Sequence, residues 1–228
     1  MIDYHSTDRS MEIIREICPN WEIRYTRNKS FNSVAVDQEV MYIEKMLGGW
    51  RMTLNVTEFL YGNTDHLQDL PEHTQYYIGN YVFVDMEDPE RGQTILDRNH
   101  PLHKQRYWGY DEFGNSGASR AGGIMGRMNR SIHNYPITYS GGRHFGGTEK
   151  SFDDLVIFYY GWADLSEAGI KRKDQIKTKI TDETATVHNH DATHFRNTGR
   201  EMKNISRDLR PEIANILEHN RRITGAEW

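Results

Sequence analysis

Apolar side chains recur at two different periods along the first third of the chain. Over TDRSMEIIREI (7–17), Met11, Ile14 and Ile17 fall on one side of a helix, Thr7 stands where a cap belongs, and Pro19 ends it. WEIRYTR (21–27) switches to a period of two. Trp21, Ile23 and Tyr25 alternate with polar residues there, the pattern of a half-buried strand. A second helix is expected over 37–47, with Asp37 as its cap and Gly48-Gly49 as its stop. The strongest alternation is WRMTLNV (50–56), where Trp50, Met52, Leu54 and Val56 face one way and Arg51, Thr53 and Asn55 the other. It predicts a strand. QYYIGNYVFVDM (75–86) predicts another, with Gly79 at a bulge.

Past residue 87 the pattern changes. Residues 87–151 are rich in Gly, Asn, Arg, His and aromatics, and the only regular pieces expected there are a turn of helix near 123–132 and the short YPITY (135–139). Irregular stretches of this length usually mean function, disorder or contact with a partner. DDLVIFYYGW (153–162) restores an apolar run and predicts a buried strand. DQIKTKI (174–180) and TATVHNH (184–190) pattern as a hairpin. Met202, Ile205 and Leu209, then Pro211 followed by Ile213, Ile216 and Leu217, predict helix between about 199 and 222. No internal repeat emerges, which disfavours a solenoid. The fold class expected is α+β: a mixed or antiparallel sheet, short N-terminal and C-terminal helices, and a long irregular insertion. In this reading 1–86 and 152–228 complete one domain, and 87–151 is a docking insertion.

Composition sharpens that picture. Hydrophobic residues make up 36% of the 228 and mean hydropathy is −0.81, a thin supply for a self-sufficient core. Yet 13 Tyr, 8 Phe and 5 Trp are far too many for an intrinsically disordered chain. A hydrophilic chain rich in aromatics suits a protein that buries surface against other proteins. Cys18 is the only cysteine, so no intrachain disulfide or cysteine zinc knuckle forms. No apolar run reaches the length of a membrane helix. MIDYHSTDRS lacks the basic and apolar regions of a secretory signal, so a virion or an intracellular or organellar assembly is the expected location.

Two stretches carry candidate chemistry. The first is TATVHNHDATH (184–194), which gathers His188, His190 and His194 around Asp191. Alternation puts His188 and His190 on one strand face, with Ala185 and Val187 on the core side. An even-length turn sets Lys177 opposite His188, where an ammonium opposes a divalent cation. A catalytic metal wants three protein ligands, and His194 joins only if the chain bends after Asp191. The order is not the His-x-His-x-Asp-His string of metallo-β-lactamases, and no glutamate follows at cupin spacing. The cluster is therefore read as a polar sheet edge, and no cofactor is expected. A histidine metal centre is the alternative. Further upstream, His133, Pro136, Gly141-Gly142 and Asp154 resemble pieces of the His-Asn-His nuclease pattern. Ile132 stands where that pattern has an acid, and no closing histidine or asparagine follows Leu155 at helical spacing.

The second stretch runs from 113 to 148 and contains no Asp or Glu, although the chain has 33 of them. It holds Arg120, Arg127, Arg130 and Arg143 among glycines, and against a net charge of −5 for the whole chain this local excess is distinctive. Arginine's planar fork suits carboxylates and phosphates. Trp108, Tyr110 and Phe145 add aromatic anchors of the kind that form interface hot spots. The expectation is a non-catalytic structural or assembly subunit that docks on other protein subunits through these residues. The alternatives are a metal-dependent nucleic-acid-processing enzyme using the histidine cluster, and a nucleic-acid-binding module that grips phosphate through 113–148. If 184–194 is a polar edge, elemental analysis of the purified chain will show no stoichiometric zinc, iron or manganese. Replacing His188 and His190 together by Ala will then move stability by no more than about 1 kcal/mol; one metal per chain, lost in the double variant, would reverse that assignment.

Overall fold

In the computed structural model, the residues described are 1–84, 96–97, 99–106, 108–111, 130–139, 141–143, 150–164, 166–177 and 214–215. They form an α+β arrangement with one mixed sheet, one antiparallel pair and one parallel pair. The chain opens with β1 (Ile2–Asp3), α1 (Ser10–Ile17) and β2 (Arg24–Tyr25), and β1 lies parallel to β2. Helix α1 begins three residues later than Thr7 suggested and ends at Cys18, whose N–H reaches the carbonyl of Ile14 just before Pro19. The strand expected over 21–27 shortens to its last hydrogen-bonded pair, leaving Trp21 exposed.

Helix α2 (Ser33–Glu44) starts earlier than expected. Its cap is Asn32, whose side chain accepts the Ala35 N–H at 3.1 Å, not Asp37. That relocation puts Asp37 inside the helix. Ser33, Asp37, Val40 and Glu44 then repeat at helical spacing along the buried side, with Val36 beside them. Two carboxylates thus enter the interior on one stripe.

The strand predicted over 50–56 is not a strand. Only Arg51 forms a bridge, exchanging backbone hydrogen bonds with His133 at 2.9 and 3.0 Å. The alternation is nevertheless real: Trp50, Met52 and Leu54 pack on the core, while Thr53 and Asn55 turn to polar partners. Val56 breaks from its expected face and is the most exposed large apolar residue described, at 91%. Regular pairing begins only afterwards, at β3 (Glu58–Gly62).

A short 3-10 helix (Asp65–Asp69) leads to β4 (Gln75–Ile78) and β5 (Asn80–Val84). The single strand expected over 75–86 divides at Gly79. β4 pairs antiparallel with β7 (Arg130–His133), whereas β5 pairs antiparallel with β6 (Trp108–Asp111) and parallel with β8 (Leu155–Trp162). The run stays extended, but its neighbours each cover only half of its length. Residues 130–132 are strand, not the helical turn expected there, and β7 is buried at all four positions. The expected piece at 135–139 has no regular structure, and α3 (Leu102–Gln105) is a single turn of helix.

The mixed sheet has the order β3-β8-β5-β6-β9, with β9 (Ala214–Asn215) on β6. Residues 214–215 are thus strand where helix was expected. Helix α4 (Glu167–Lys177) occupies the start of the expected hairpin at 174–177. Ser166 caps it, its hydroxyl accepting the Gly169 N–H at 3.2 Å, and Glu, Ala, Lys and Gln outvote the two isoleucines that suggested alternation. The rest of that hairpin and of the expected C-terminal helices lies outside the described residues.

Two apolar clusters hold the layers together. Leu155 and Ile157 of β8 meet Ile78 of β4, Ile132 of β7, Leu67 and Phe152 on one side of the mixed sheet. On its other side Tyr81, Phe83, Phe158, Tyr160 and Ala163 pack, with Phe83 stacked on Tyr160 at 4.6 Å between centroids. The rings compensate for the modest aliphatic content.

Candidate functional site

Beside the first cluster runs a buried polar network drawn from two distant regions of the chain, 37–58 and 130–143. Strand β7 brings Arg130 and His133, α2 brings Asp37 and Glu44, the 50–58 segment brings Thr53, Asn55 and Glu58, and the loop after β7 brings Tyr139, Gly142 and Arg143. Its centre is a two-pronged ion pair. Arg130 Nε and Nη2 donate to the two carboxylate oxygens of Glu58 at 2.8 and 2.6 Å, and both side chains are 1% exposed. The third nitrogen, Nη1, donates to the carbonyl of Gly142 at 2.5 Å. Glu58 also accepts the backbone N–H of Asn55 at 2.8 Å. Such parallel donors fix geometry as well as charge.

On one flank, Asp37 accepts from Arg143 Nη1 at 2.8 Å and from the Gly142 N–H at 2.9 Å. Arg143 Nη2 continues to the side-chain oxygen of Asn55 at 2.8 Å. The turn that presents both groups is left-handed, with φ of +77° at Gly142 and +62° at Arg143. Glycine takes that conformation freely, while an arginine there is strained and needs its partners to hold it. Burial raises the Asp37 carboxyl above its ordinary range, with Arg143 and the Gly142 N–H opposing the shift.

On the other flank, His133 is fully buried. Its Nδ1 lies 2.6 Å from the Tyr135 carbonyl and its Nε2 lies 3.0 Å from the Tyr139 hydroxyl. The hydroxyl donates to Glu44 at 2.7 Å, and Thr53 donates to the same carboxylate oxygen at 2.6 Å. Burial pushes Glu44 upward, but the hydrogen bonds from His133, Thr53 and Tyr139 outweigh it and hold the carboxyl below its ordinary range. Burial also drives the Tyr139 hydroxyl well above the usual tyrosine range, so it remains a proton donor. Both nitrogens of His133 are engaged internally, which leaves none to present to an external ligand or water. Among the described residues the network orients and clamps its own members.

Of the arginines singled out in the sequence, the structure brings together Arg130 and Arg143 and commits both to carboxylates. Arg120, Arg127 and Phe145 lie outside the described residues, as do His188, His190 and His194. Trp108 and Tyr110 belong to β6, where Trp108 is half-buried and pairs with Asn215. Among the described residues no three His, Cys, Asp or Glu side chains gather as a metal set, and no helix is long and apolar enough to cross a membrane. Sequence reasoning missed Asp37, Glu44 and Glu58. A usable signal existed, since Asp37 and Glu44 are seven residues apart among the apolar positions of one helix. The acid-free stretch was the other half of it: arginines with no acid nearby in sequence must find one far away. The chain matches no protein-family model and no curated protein.

Two measurements address the network. Arg130→Met strands a buried Glu58 carboxylate and will destabilise the fold by about 3–5 kcal/mol in denaturant titrations, whereas adding Glu58→Gln will recover most of that loss. For Glu44, the folded-state value lies below the unfolded one, so its stabilisation is complete at neutral pH and is lost as pH falls. Stability measured from about pH 7 to pH 4 will therefore decline less steeply in Glu44→Gln than in the parent chain. Asp37, shifted the other way, will give the opposite change of slope in Asp37→Asn.

Proposed function

We propose that the chain is a non-catalytic structural or assembly subunit of a large multiprotein complex, a virion component or a subunit of an organellar complex. It docks on neighbouring subunits through the acid-free, arginine- and aromatic-rich stretch 113–148, with Trp108 and Tyr110 beside it. The observation that carries this reading is apolar surface left uncovered. Helix α1 buries none of its residues, and Ile17 at 71% and Trp21 at 57% exposure stand on the same N-terminal unit as Ile13 and Tyr25. An amphipathic helix gains little from packing on water, and contiguous exposed apolar side chains mark association surfaces. The buried network supports the same reading, because its titratable groups are spent on fixing the framework.

The nucleic-acid alternatives draw on the same stretch. Two of its four arginines are held by Glu58 and Asp37, which leaves Arg120 and Arg127 for phosphate. Docking on protein relies on aromatic and apolar anchors as well, so it loses less by that commitment.

Hydrogen exchange tests the proposal. Amides of 113–129 and 144–148 will gain protection when the chain is bound in the complex recovered from its native source, relative to the purified chain. Strand β7, already buried, will be protected in both. Equal protection of 113–129 and 144–148 in the two samples overturns docking through this stretch.

A further inference from the structure

Strand β3 is an edge of the mixed sheet, and its outward groups can be read from its hydrogen bonds. Its register on β8 is antiparallel, with Leu60 opposite Ile157 and Phe59 opposite Phe158. The Tyr160 N–H donates to the Thr57 carbonyl, and the Asn63 N–H donates to the Asp154 carbonyl. Odd-numbered residues therefore face β8. The Ile157 N–H goes the other way, to the Gly79 carbonyl beside β5, so it is not Leu60's partner. By the alternation of an antiparallel ladder, the N–H and C=O of Leu60 point outward from the sheet edge. Among the described residues no strand pairs there.

Of the other outward backbone groups on β3, the Glu58 N–H is already held by the Asn55 carbonyl at 2.9 Å, while the side chains that follow it are open. Phe59, Leu60 and Tyr61 are 52%, 38% and 41% exposed. Natural edge strands are guarded by lysine, proline or an inward charge. Here the one such device is Glu58 at the start of the strand, its carboxylate neutralised inward by Arg130, and from Phe59 to Thr64 the chain has no charged residue and no proline. Phe59 and Tyr61 lie on the aromatic side of the sheet, Phe59 edge-on to Tyr160 and Tyr61 stacked on Phe158 at 5.6 Å.

We infer that β3 is a self-pairing edge that joins two copies of this chain about a two-fold axis through Leu60. In antiparallel pairing centred there, the two Leu60 residues exchange both backbone hydrogen bonds. Phe59 of one copy then stands directly across from Tyr61 of the other, twice over, on the same side of the joint sheet. Aromatic pairs across neighbouring strands are among the favourable ones. The two aromatic layers become continuous, and the two five-stranded sheets become one. Charge permits the same occupant, because its own copy meets this uncharged edge with no like charges opposed, and the Phe59–Tyr61 match is what self-pairing in this register supplies. The arrangement is isologous and closed, which consumes the edge and stops growth at two copies. This interface involves none of the residues assigned to docking, so it stands or falls separately from the proposed function.

The test uses the full chain in analytical ultracentrifugation at micromolar concentration. The parent chain should sediment as two copies. Leu60→Lys and Leu60→Glu, which set like charges against each other on the axis, should each sediment as one. An equimolar mixture of the two variants should return to the two-copy mass, since opposite charges then face across the axis. Without any substitution, exchange of the Leu60 amide should be slow in concentrated solution and fast in dilute. A parent chain at one-copy mass throughout, a Leu60→Lys chain that keeps the two-copy mass, or a Leu60 amide whose exchange does not depend on concentration would each overturn the inference.

Discussion

The Arg130 guanidinium, sealed against Glu58, joins strand β7 to the first residue of strand β3 across 72 positions of sequence. An ion pair taken fully out of water is tolerable only when its geometry is good and its remaining donors and acceptors are answered. Here they are answered by Gly142 and Asn55, and through those two by Asp37 and Arg143. The requirement spreads outward. Once Arg130 is buried, the 50–58 segment, the loop after β7 and helix α2 each have a prescribed place.

That constraint explains features that look odd in isolation. Residues 50–56 alternate like a strand yet make one backbone bridge, because Thr53 and Asn55 are needed as side-chain donors and acceptors rather than as ladder partners. Arg143 adopts a left-handed backbone because that conformation delivers its guanidinium to Asp37 while the Gly142 N–H reaches the same carboxylate. His133 and Tyr139 complete the far side by answering Glu44, the second carboxylate on the buried stripe of α2. In a chain whose apolar residues are 36% of the total, a buried polar network contributes specificity that a small core cannot supply alone.

The same economy bears on association. Charges that might have decorated the surface are folded inward, and apolar side chains of α1 and β3 are left outward. The N-terminal unit and the β3 edge are different kinds of surface. One is an amphipathic helix that offers side chains alone, and the other offers backbone groups together with rings, which suits strand addition. On the proposed reading, a chain with two such faces would pair with itself and still meet other proteins.

Local pattern determined a good deal of this molecule. The helix ending at Ile17, the strand expected at 153–162 (found at Leu155–Trp162) and the α+β class follow from periodicity, because each depends on contacts within a few residues or on one continuous apolar face. The facing of Trp50, Met52 and Leu54 was legible for the same reason. What sequence could not settle was pairing: whether 50–56 joins a ladder, where the run through Gly79 exchanges neighbours, and that 130–133 and 214–215 are strands. Hydrogen-bond partners in a sheet come from distant segments, and period alone does not name them. The acid-free stretch pointed to Arg130 and Arg143 as unusual but not to Glu58 and Asp37 as their partners. Asp37 in particular looked like a helix cap, since short acidic side chains favour that position when nothing else competes. Only the tertiary structure, by placing a buried guanidinium within reach of that face of the helix, turned the carboxylate inward.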